Sequence, residues 1–250
     1  MITHRTIKFP AAGIFALVLL VSLAVTYLIV QQGVMAGILI LLASVGVALV
    51  AGMLKDYRIG FYFLFLMGIF MFYADRIVDI NFPLGTIYDA LVGLTFFALF
   101  LNNKRNDWTL FKNPVTVMLV VLILYQVLQL LNPSANSVLA WLVSLRNNIS
   151  FLIYVICFQM FATLKDVKRF TNFWLGVAFL VALYGIYQKL FGLLPFEVAW
   201  MNAKPERIDL YIIWGQLRSF SFLSDPSSFG LFTGASALGA MVLAMGPFRL

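Results

Sequence analysis

Charged residues are scarce in this chain, which has 250 residues, 11% of them charged and 63% hydrophobic. A soluble domain carries about a quarter charged residues. The shortage of charge therefore excludes an ordinary soluble protein and indicates an integral membrane protein. The net charge of +7 does not indicate nucleic-acid binding, because Lys and Arg occur in short groups between apolar runs and not on one water-exposed face.

Cysteine and histidine occur once each, as Cys157 and His4. A single cysteine forms no disulfide within the chain, and neither residue has neighbours at the spacing of metal ligands. Cys157 lies in an apolar run and is interpreted as core packing. The sequence also lacks a glycine-rich phosphate-binding loop and closely spaced carboxylates. No metal and no other cofactor is therefore predicted, and His4, in the N-terminal tail, is not assigned a catalytic role.

Long apolar runs account for most of the chain. A helix needs about 20 apolar residues to cross the hydrocarbon core of a bilayer. On this criterion the sequence predicts an all-α bundle of about eight membrane spans, with the third span short and the sixth long. The predicted spans are residues 11–30, 33–54, 59–74, 82–101, 115–131, 138–162, 173–194 and 228–246.

The distribution of lysine and arginine predicts the orientation of these spans. Most of the 17 Lys and Arg residues fall in alternate loops, beginning with Arg5 and Lys8 before the first span. Cytoplasmic loops are the ones enriched in these residues. Both termini are therefore predicted to be cytoplasmic. Residues 195–227 then form one long outward-facing loop of a single membrane domain that covers residues 1–250.

Three ionisable residues, Asp89, Arg146 and Lys189, fall within predicted spans. A charge at mid-bilayer costs about 2.5–3.5 kcal/mol on insertion scales, so it normally faces a cavity or a partner. Lys189 is near enough to the outer end of its span for its amine to reach the interface. Asp89 and Arg146 lie deeper, where they either form a structural ion pair or line an outward-open cavity.

The junction between the long loop and the last span, residues 218–230, combines an arginine, an aspartate, a proline and five serines. Arg146, Arg207 and Arg218 together would give an outward cavity a cationic lining beneath an aromatic rim. Guanidinium groups bind diphosphates and carboxylates through paired hydrogen bonds. The pattern therefore predicts recognition of an anionic amphiphile.

Several motifs surround the same loop. They are the run Tyr184-Gly185-Ile186-Tyr187-Gln188 followed by Gly192 and Pro195, the loop ending in Arg218, the pair Ser221-Phe222, and Asp225-Pro226 followed by Gly230. Over roughly residues 60–250 this arrangement resembles the O-antigen polymerase and O-antigen ligase superfamily of bacterial envelope glycosyltransferases. Asp89 and Arg146 also fall where such proteins tend to carry polar residues. Ser221 and Asp225 stand where the family more often has Gly and Asn.

The resemblance implies a multi-pass enzyme of the bacterial inner membrane whose active site opens to the periplasm. Its donor would be a glycan on undecaprenyl diphosphate, and its acceptor a glycan, a lipid or a protein. The resemblance implies no metal. It implies that Arg218 and Arg146 act at the diphosphate leaving group. Substrate binding would involve Asp89, Lys189, Arg207, Ser221 and Asp225.

Members of this superfamily continue through further spans and a second periplasmic loop. The chain is accordingly expected to be an N-terminal portion that is inactive alone. Two other functions remain open from the sequence. One is a transporter or flippase of an anionic polyprenyl-linked lipid, because intramembrane charges also mark substrate paths. The other is a structural or assembly subunit, in which Asp89 and Arg146 merely pair.

Overall fold

A computed structural model describes residues 33–78, 84–102, 112–131 and 148–246, with a few single residues outside these ranges. This part is all-helical, as predicted, apart from one pair of two-residue strands. Its elements are α1 Val34–Lys55, α2 Tyr57–Val78, α3 Leu84–Asn102, α4 Pro114–Leu128 with a 3-10 turn Gln129–Leu131, α5 Ile149–Met160, α6 Leu164–Phe191, α7 Pro195–Asn202, α8 Pro205–Tyr211, β1 Ile212–Ile213, β2 Gln216–Leu217 and α9 Pro226–Met245.

Five helices in the described residues are long and apolar enough to cross a membrane. Their spanning parts are Tyr57–Ile77, Leu84–Asn102, Pro114–Leu131, Leu164–Phe191 and Pro226–Met245. The chain is therefore a multi-pass membrane protein, and these helices correspond to five of the eight predicted spans.

The other three predicted spans are described only in part. The span predicted at 11–30 lies almost wholly outside the described residues. The span predicted at 33–54 coincides with α1, of which Ala43–Lys55 is the described apolar helix. Of the span predicted at 138–162, the structure describes chiefly α5, which is shorter than a membrane crossing.

The predicted bounds of the third span, 59–74, are too narrow. The carboxylate of Asp56 accepts a hydrogen bond from the backbone N–H of Arg58 at 2.9 Å, and this contact lies at the start of α2. At its other end, α2 continues one turn past Ala74 and includes Arg76. The prediction ended the span at the first charges, Asp75 and Arg76, but a buried arginine with partners lies within the helix.

The seventh span was predicted at 173–194 and begins earlier. Thr163 caps α6, because its hydroxyl oxygen accepts a hydrogen bond from the backbone N–H of Asp166 at 3.2 Å. The first two turns of α6 are polar, and a hydropathy criterion therefore misses them. The helix ends at Phe191, before Gly192, whose φ of +84° suits glycine.

Residues Met1–Gly52 and Met53–Leu250 form separate compact units, and the packing described below lies within the second. Helices α2, α3 and α5 share an apolar core built around Phe61, Val92 and Ile156. Helices α2, α6 and α9 meet in a second cluster with Ile69 and Val181 at its centre. The second cluster packs the middle of α6 against the start of α9, which follows residues 192–225.

Gly185 allows α6 and α9 to approach closely. A Cβ atom at this position would lie 2.2 Å from Cζ of Phe229, whose ring packs in the second cluster. We expect Gly185→Ala to lower the free energy of unfolding by about 1–3 kcal/mol, because the ring must move within a packed core. Unfolding of the detergent-solubilised protein measures this loss.

Gly176→Ala is the matched control for this change. Gly176 lies in the same helix, and a Cβ atom there would meet no atom within 4 Å. The alanine should be neutral or slightly stabilising, because glycine is the poorer helix former. Equal losses for the two variants would contradict the close approach at Gly185.

Candidate functional site

Residues 192–225, called here the connecting segment, join α6 to α9 and form a folded structure. Pro195 and Pro205 begin α7 and α8, where a missing backbone N–H costs nothing. Strands β1 and β2 pair antiparallel, and Trp214 and Gly215 between them have φ of +52° and +72°. Positive φ at both turn residues is typical of a tight hairpin. The loop predicted at 195–227 is therefore two short helices and a hairpin.

The guanidinium of Arg76, on α2, contacts the connecting segment through hydrogen bonds and an ion pair. Its side chain is 1% exposed. Nη1 donates a hydrogen bond to the carbonyl oxygen of Ser221 at 2.7 Å, and Nη2 donates to that of Leu223. Nη1 also lies 3.8 Å from a carboxylate oxygen of Glu197, and the guanidinium lies 4.4 Å from the ring centroid of Phe220. The charge of Arg76 is thus compensated by groups of the connecting segment.

Gln188, in the last turn of α6, joins the same network and is fully buried. Its amide nitrogen donates to Glu197 at 2.9 Å. Its amide oxygen accepts from the backbone N–H groups of Phe220 and Ser221 at 3.1 and 2.8 Å. A second oxygen of Glu197 accepts the backbone N–H of Leu194 at 3.1 Å, which closes the start of α7. Arg76, Gln188 and Glu197 therefore tie α2, α6 and the connecting segment together.

Ser221, predicted to bind substrate, is fully buried in this network. Its φ is +50°, in the left-handed region that favours glycine. Its hydroxyl donates to the carbonyl oxygen of Val181 at 2.7 Å. The hydroxyl, the N–H and the carbonyl of Ser221 are all engaged within the protein. The structure thus gives Ser221 a role in shaping the backbone.

A pocket opens beside this network, at the end of α2. Its cavity volume is about 270 Å³. It is lined by two cationic side chains and five others, namely Arg76, Ile77, Phe196, Ala199, Trp200, Ala203 and Arg207. We call it the arginine pocket.

Arg207 lies over the indole of Trp200, 4.0 Å from the ring centroid, and donates to the carbonyl oxygen of Trp200 at 2.5 Å. The guanidinium of Arg76 lies 5.3 Å from the same ring. Arg76 has Glu197 as its counter-ion. In the described part of the chain, no carboxylate lies within ion-pairing distance of Arg207. The pocket therefore carries one cation that lies over an aromatic ring and has no carboxylate counter-ion among the described residues.

Such a pocket suits an anionic group attached to an apolar body. Guanidinium groups form paired, charge-assisted hydrogen bonds with phosphate oxygens. The Nε of Arg76 and the indole Nε1 of Trp200 have no hydrogen-bond partner among the described residues. Phe196 and Ile77 supply apolar walls. The pocket can thus receive charge on one side and hydrocarbon on the other.

Arg218 and Lys189, two further predicted site residues, are exposed. The backbone N–H of Arg218 donates to the carbonyl oxygen of Tyr211 at 2.9 Å. Its guanidinium forms no ion pair with any described residue. Lys189 lies in the last turn of α6, where a positive charge is favoured by the helix dipole. Neither residue lines the arginine pocket.

Arg146 and Asp89 form an ion pair, the first of the two arrangements that the sequence left open. Nε of Arg146 donates to a carboxylate oxygen of Asp89. The Arg146 side chain is 52% exposed and that of Asp89 is 21% exposed. Arg146 does not line the arginine pocket. Of the three arginines predicted to line an outward cavity, Arg207 lines the arginine pocket together with Arg76, whereas Arg146 and Arg218 do not.

Asp225, also predicted to bind substrate, is the N-cap of α9. Its carboxylate accepts from the backbone N–H of Ser228 at 2.9 Å and from the hydroxyls of Ser224 and Ser228 at 2.6 and 2.7 Å. Burial on its own would raise the pKa of this carboxyl, but hydrogen bonds from the Ser224 and Ser228 hydroxyls and from the Ser228 and Ser227 backbone outweigh burial and hold the pKa at about 2. The carboxylate thus stabilises the start of the last helix.

Asp225→Ala should lower the free energy of unfolding by about 0.5–2 kcal/mol, because the N-cap is lost, whereas Asp225→Asn should retain most of it. The folded pKa of about 2 lies below the ordinary value of 3.8. The ionised carboxylate therefore contributes stability fully above the ordinary pKa, and the contribution is lost as the pH falls towards 2. Unfolding measured against pH for the parent and Asp225→Asn checks this. If the free energy of unfolding of the parent and of Asp225→Asn depended on pH in the same way, the contribution of the ionised carboxylate would be contradicted.

Comparison of the chain with known protein families, with curated proteins and with solved structures finds no match. The chemistry of the arginine pocket is therefore inferred from its own residues and from the motifs around it. Gln188 ends one of those motifs, the run that begins at Tyr184, and the sequence predicts no separate role for it. Arg76 and Glu197 were missed as site residues.

Proposed function

We propose that the protein is a membrane glycosyltransferase that polymerises or ligates an oligosaccharide linked to undecaprenyl diphosphate. In this proposal the arginine pocket receives the diphosphate. The observation that carries the proposal is Arg207. Its guanidinium lies over Trp200, has no counter-ion among the described residues, and lines an open pocket at the end of a membrane-spanning helix.

The chemistry of glycan transfer explains why a fixed cation is useful there. The bond between the sugar carbon and the diphosphate oxygen breaks. The oxygen of the acceptor hydroxyl forms the new glycosidic bond, and its proton passes to water or to the departing diphosphate. Negative charge grows on the leaving diphosphate in the transition state. A guanidinium already held in place stabilises that charge without reorganising. Arg207 is held by Trp200, and the adjacent Arg76 adds positive potential, reduced by Glu197.

Two departures from the family pattern, at Ser221 and Asp225, are compatible with the proposal on the geometry of this chain. The family more often has Gly where this chain has Ser221, and the backbone there is left-handed, as glycine favours. The family more often has Asn where this chain has Asp225, and both residues are good helix N-caps.

The periplasmic face of a bacterial inner membrane is part of the same proposal. It is supported by the bias of Lys and Arg towards the opposite loops. The exposed Trp214 in the connecting segment, 98% exposed, supports an interfacial position, where tryptophan is enriched. The proposed partners are the lipid-linked donor, membrane lipids and an acceptor glycan, lipid or protein.

The test is glycan transfer by the full-length protein in proteoliposomes, with undecaprenyl-diphosphate-linked oligosaccharide as donor. Arg207→Gln should lower the rate about a hundredfold, because it removes the charge that faces the leaving group. Lys204→Gln is the matched control, since Lys204 is an exposed cation in the same segment outside the pocket lining. A parental rate for Arg207→Gln would contradict the proposal. Movement of labelled lipid across the bilayer without a new glycosidic bond would favour the flippase.

A further inference from the structure

We infer that the hydrocarbon chain of an anionic polyprenyl lipid lies along one face of α2, with its diphosphate in the arginine pocket. The identity of the lipid rests on the proposed function. The position of its chain rests on a second cavity, which lies along α2.

This second cavity is a groove of about 330 Å³ with a wholly apolar lining. Its residues are Phe63, Leu66, Met67, Phe70, Met71, Ala74 and Leu84. Six of these belong to α2 and recur at intervals of three or four, so they lie on one face of the helix. The two methionines are flexible and adapt to an irregular chain. We call this cavity the α2 groove.

The α2 groove leads towards the arginine pocket. Ile77 follows Ala74 by three residues and therefore continues the same helix face. Ile77 is 53% exposed and lines the arginine pocket. From Phe63 to Ile77 the helix rises about 21 Å at 1.5 Å per residue. This is about two-thirds of the ~30 Å hydrocarbon core. One helix face thus carries an apolar path that ends at a cation.

The succession of an apolar groove and a cationic pocket determines which ligand fits this site. A neutral lipid would fill the α2 groove but leave Arg207 without a counter-ion. A soluble diphosphate would meet Arg207 but leave the α2 groove empty. A lipid with a long apolar chain and a diphosphate satisfies both, because the face of α2 supplies hydrocarbon contact along its length and Arg207 of α8 supplies positive charge in the pocket at its end.

The two arginines have different parts in this site. The Nη atoms of Arg76 donate to the backbone carbonyls of Ser221 and Leu223, so Arg76 is a positioning residue for the connecting segment. Arg207 keeps free donors and has no carboxylate partner among the described residues. The direct contact with the diphosphate is therefore assigned to Arg207.

The test measures binding of undecaprenyl diphosphate to the full-length protein by native mass spectrometry, with undecaprenol and phosphatidylglycerol as comparison lipids. Arg207→Gln should weaken the binding of undecaprenyl diphosphate about tenfold, because a charge-assisted contact is lost, and should leave the binding of undecaprenol unchanged. Ala74→Trp should weaken the binding of both polyprenyl lipids, because the larger side chain obstructs the α2 groove. Phe72→Trp is the matched control for bulk, because Phe72 lies about 200° around the helix from Ala74. Lys204→Gln is the matched control for charge.

Photo-crosslinking of the unmutated protein keeps the test valid if Ala74→Trp fails to fold. A diazirine on the chain of undecaprenyl diphosphate should label α2 between Phe63 and Ile77. Labelling elsewhere, equal affinities for Ala74→Trp and Phe72→Trp, or equal binding of phosphatidylglycerol would overturn the inference. Binding as predicted without glycan transfer would reject the proposed function alone. Transfer that proceeds with no effect of Ala74→Trp would reject the α2 groove alone.

Discussion

Replacing Arg76 by methionine is expected to lower the free energy of unfolding by about 3–5 kcal/mol, the cost of removing one partner from a buried ion pair. The change leaves the carboxylate of Glu197 buried without its cation. It also leaves the carbonyl oxygens of Ser221 and Leu223 without their donor. Because these groups belong to the connecting segment, that segment should detach from α2 before the spans unfold. Thermal unfolding in detergent measures the loss, and protease cleavage within residues 192–225 reports the detachment.

Arg218→Met is the matched control for Arg76→Met. Arg218 has the same side chain but is exposed, without an ion pair in the described structure. Its replacement should change the free energy of unfolding by less than about 0.5 kcal/mol. Arg76→Lys should fall between the two, because an ammonium keeps the charge but not the planar fork. Equal effects of Arg76→Met and Arg218→Met would show that the buried network does not hold the connecting segment.

Gln188→Leu should lower the free energy of unfolding by about 2–4 kcal/mol, although leucine suits a buried position and is of similar size. The buried N–H groups of Phe220 and Ser221 lose their acceptor, and an unsatisfied buried donor costs about 1–3 kcal/mol. Glu197 also loses a donor. The left-handed backbone at Ser221 should then relax, which distorts the junction before α9. Chemical unfolding of the purified variant measures the loss.

Gln216→Leu provides the comparison for this change. Gln216 lies on β2 of the same connecting segment and is exposed. A surface change of this kind should alter the free energy of unfolding by less than about 0.5 kcal/mol. If both glutamine variants lost the same stability, the hydrogen bonds of Gln188 would not be the cause.

The membrane spans could be predicted because their signal is local. A run of apolar residues of bilayer length predicts a helix whatever its neighbours are. The errors fall where a helix extends past its apolar part. Helix α6 begins with two polar turns after the Thr163 cap, and α2 retains Arg76 in its last turn. Hydropathy alone does not distinguish a solvated charge at a span end from a buried one.

The site could be predicted only in part, because it depends on contacts between distant residues. Arg207 was predicted and lines the pocket. Arg76 was missed, since its acceptor Ser221 is 145 positions away. A third span extended by one turn would have included Arg76. Arg76 would then have been a candidate site residue by the same argument as Arg146, because it would be a charge within a span. The left-handed backbone at Ser221 could not be predicted from the residue type. A serine instead indicates an exposed hydroxyl.

The position of the diphosphate is tested most directly by an experimental structure of the full-length protein in lipid nanodiscs with undecaprenyl diphosphate. Density for the diphosphate is predicted within hydrogen-bonding distance of Arg207 in the arginine pocket, with the chain along α2 towards Phe63. Density for the diphosphate at Arg218 or Arg146, with the arginine pocket empty, would contradict the assignment.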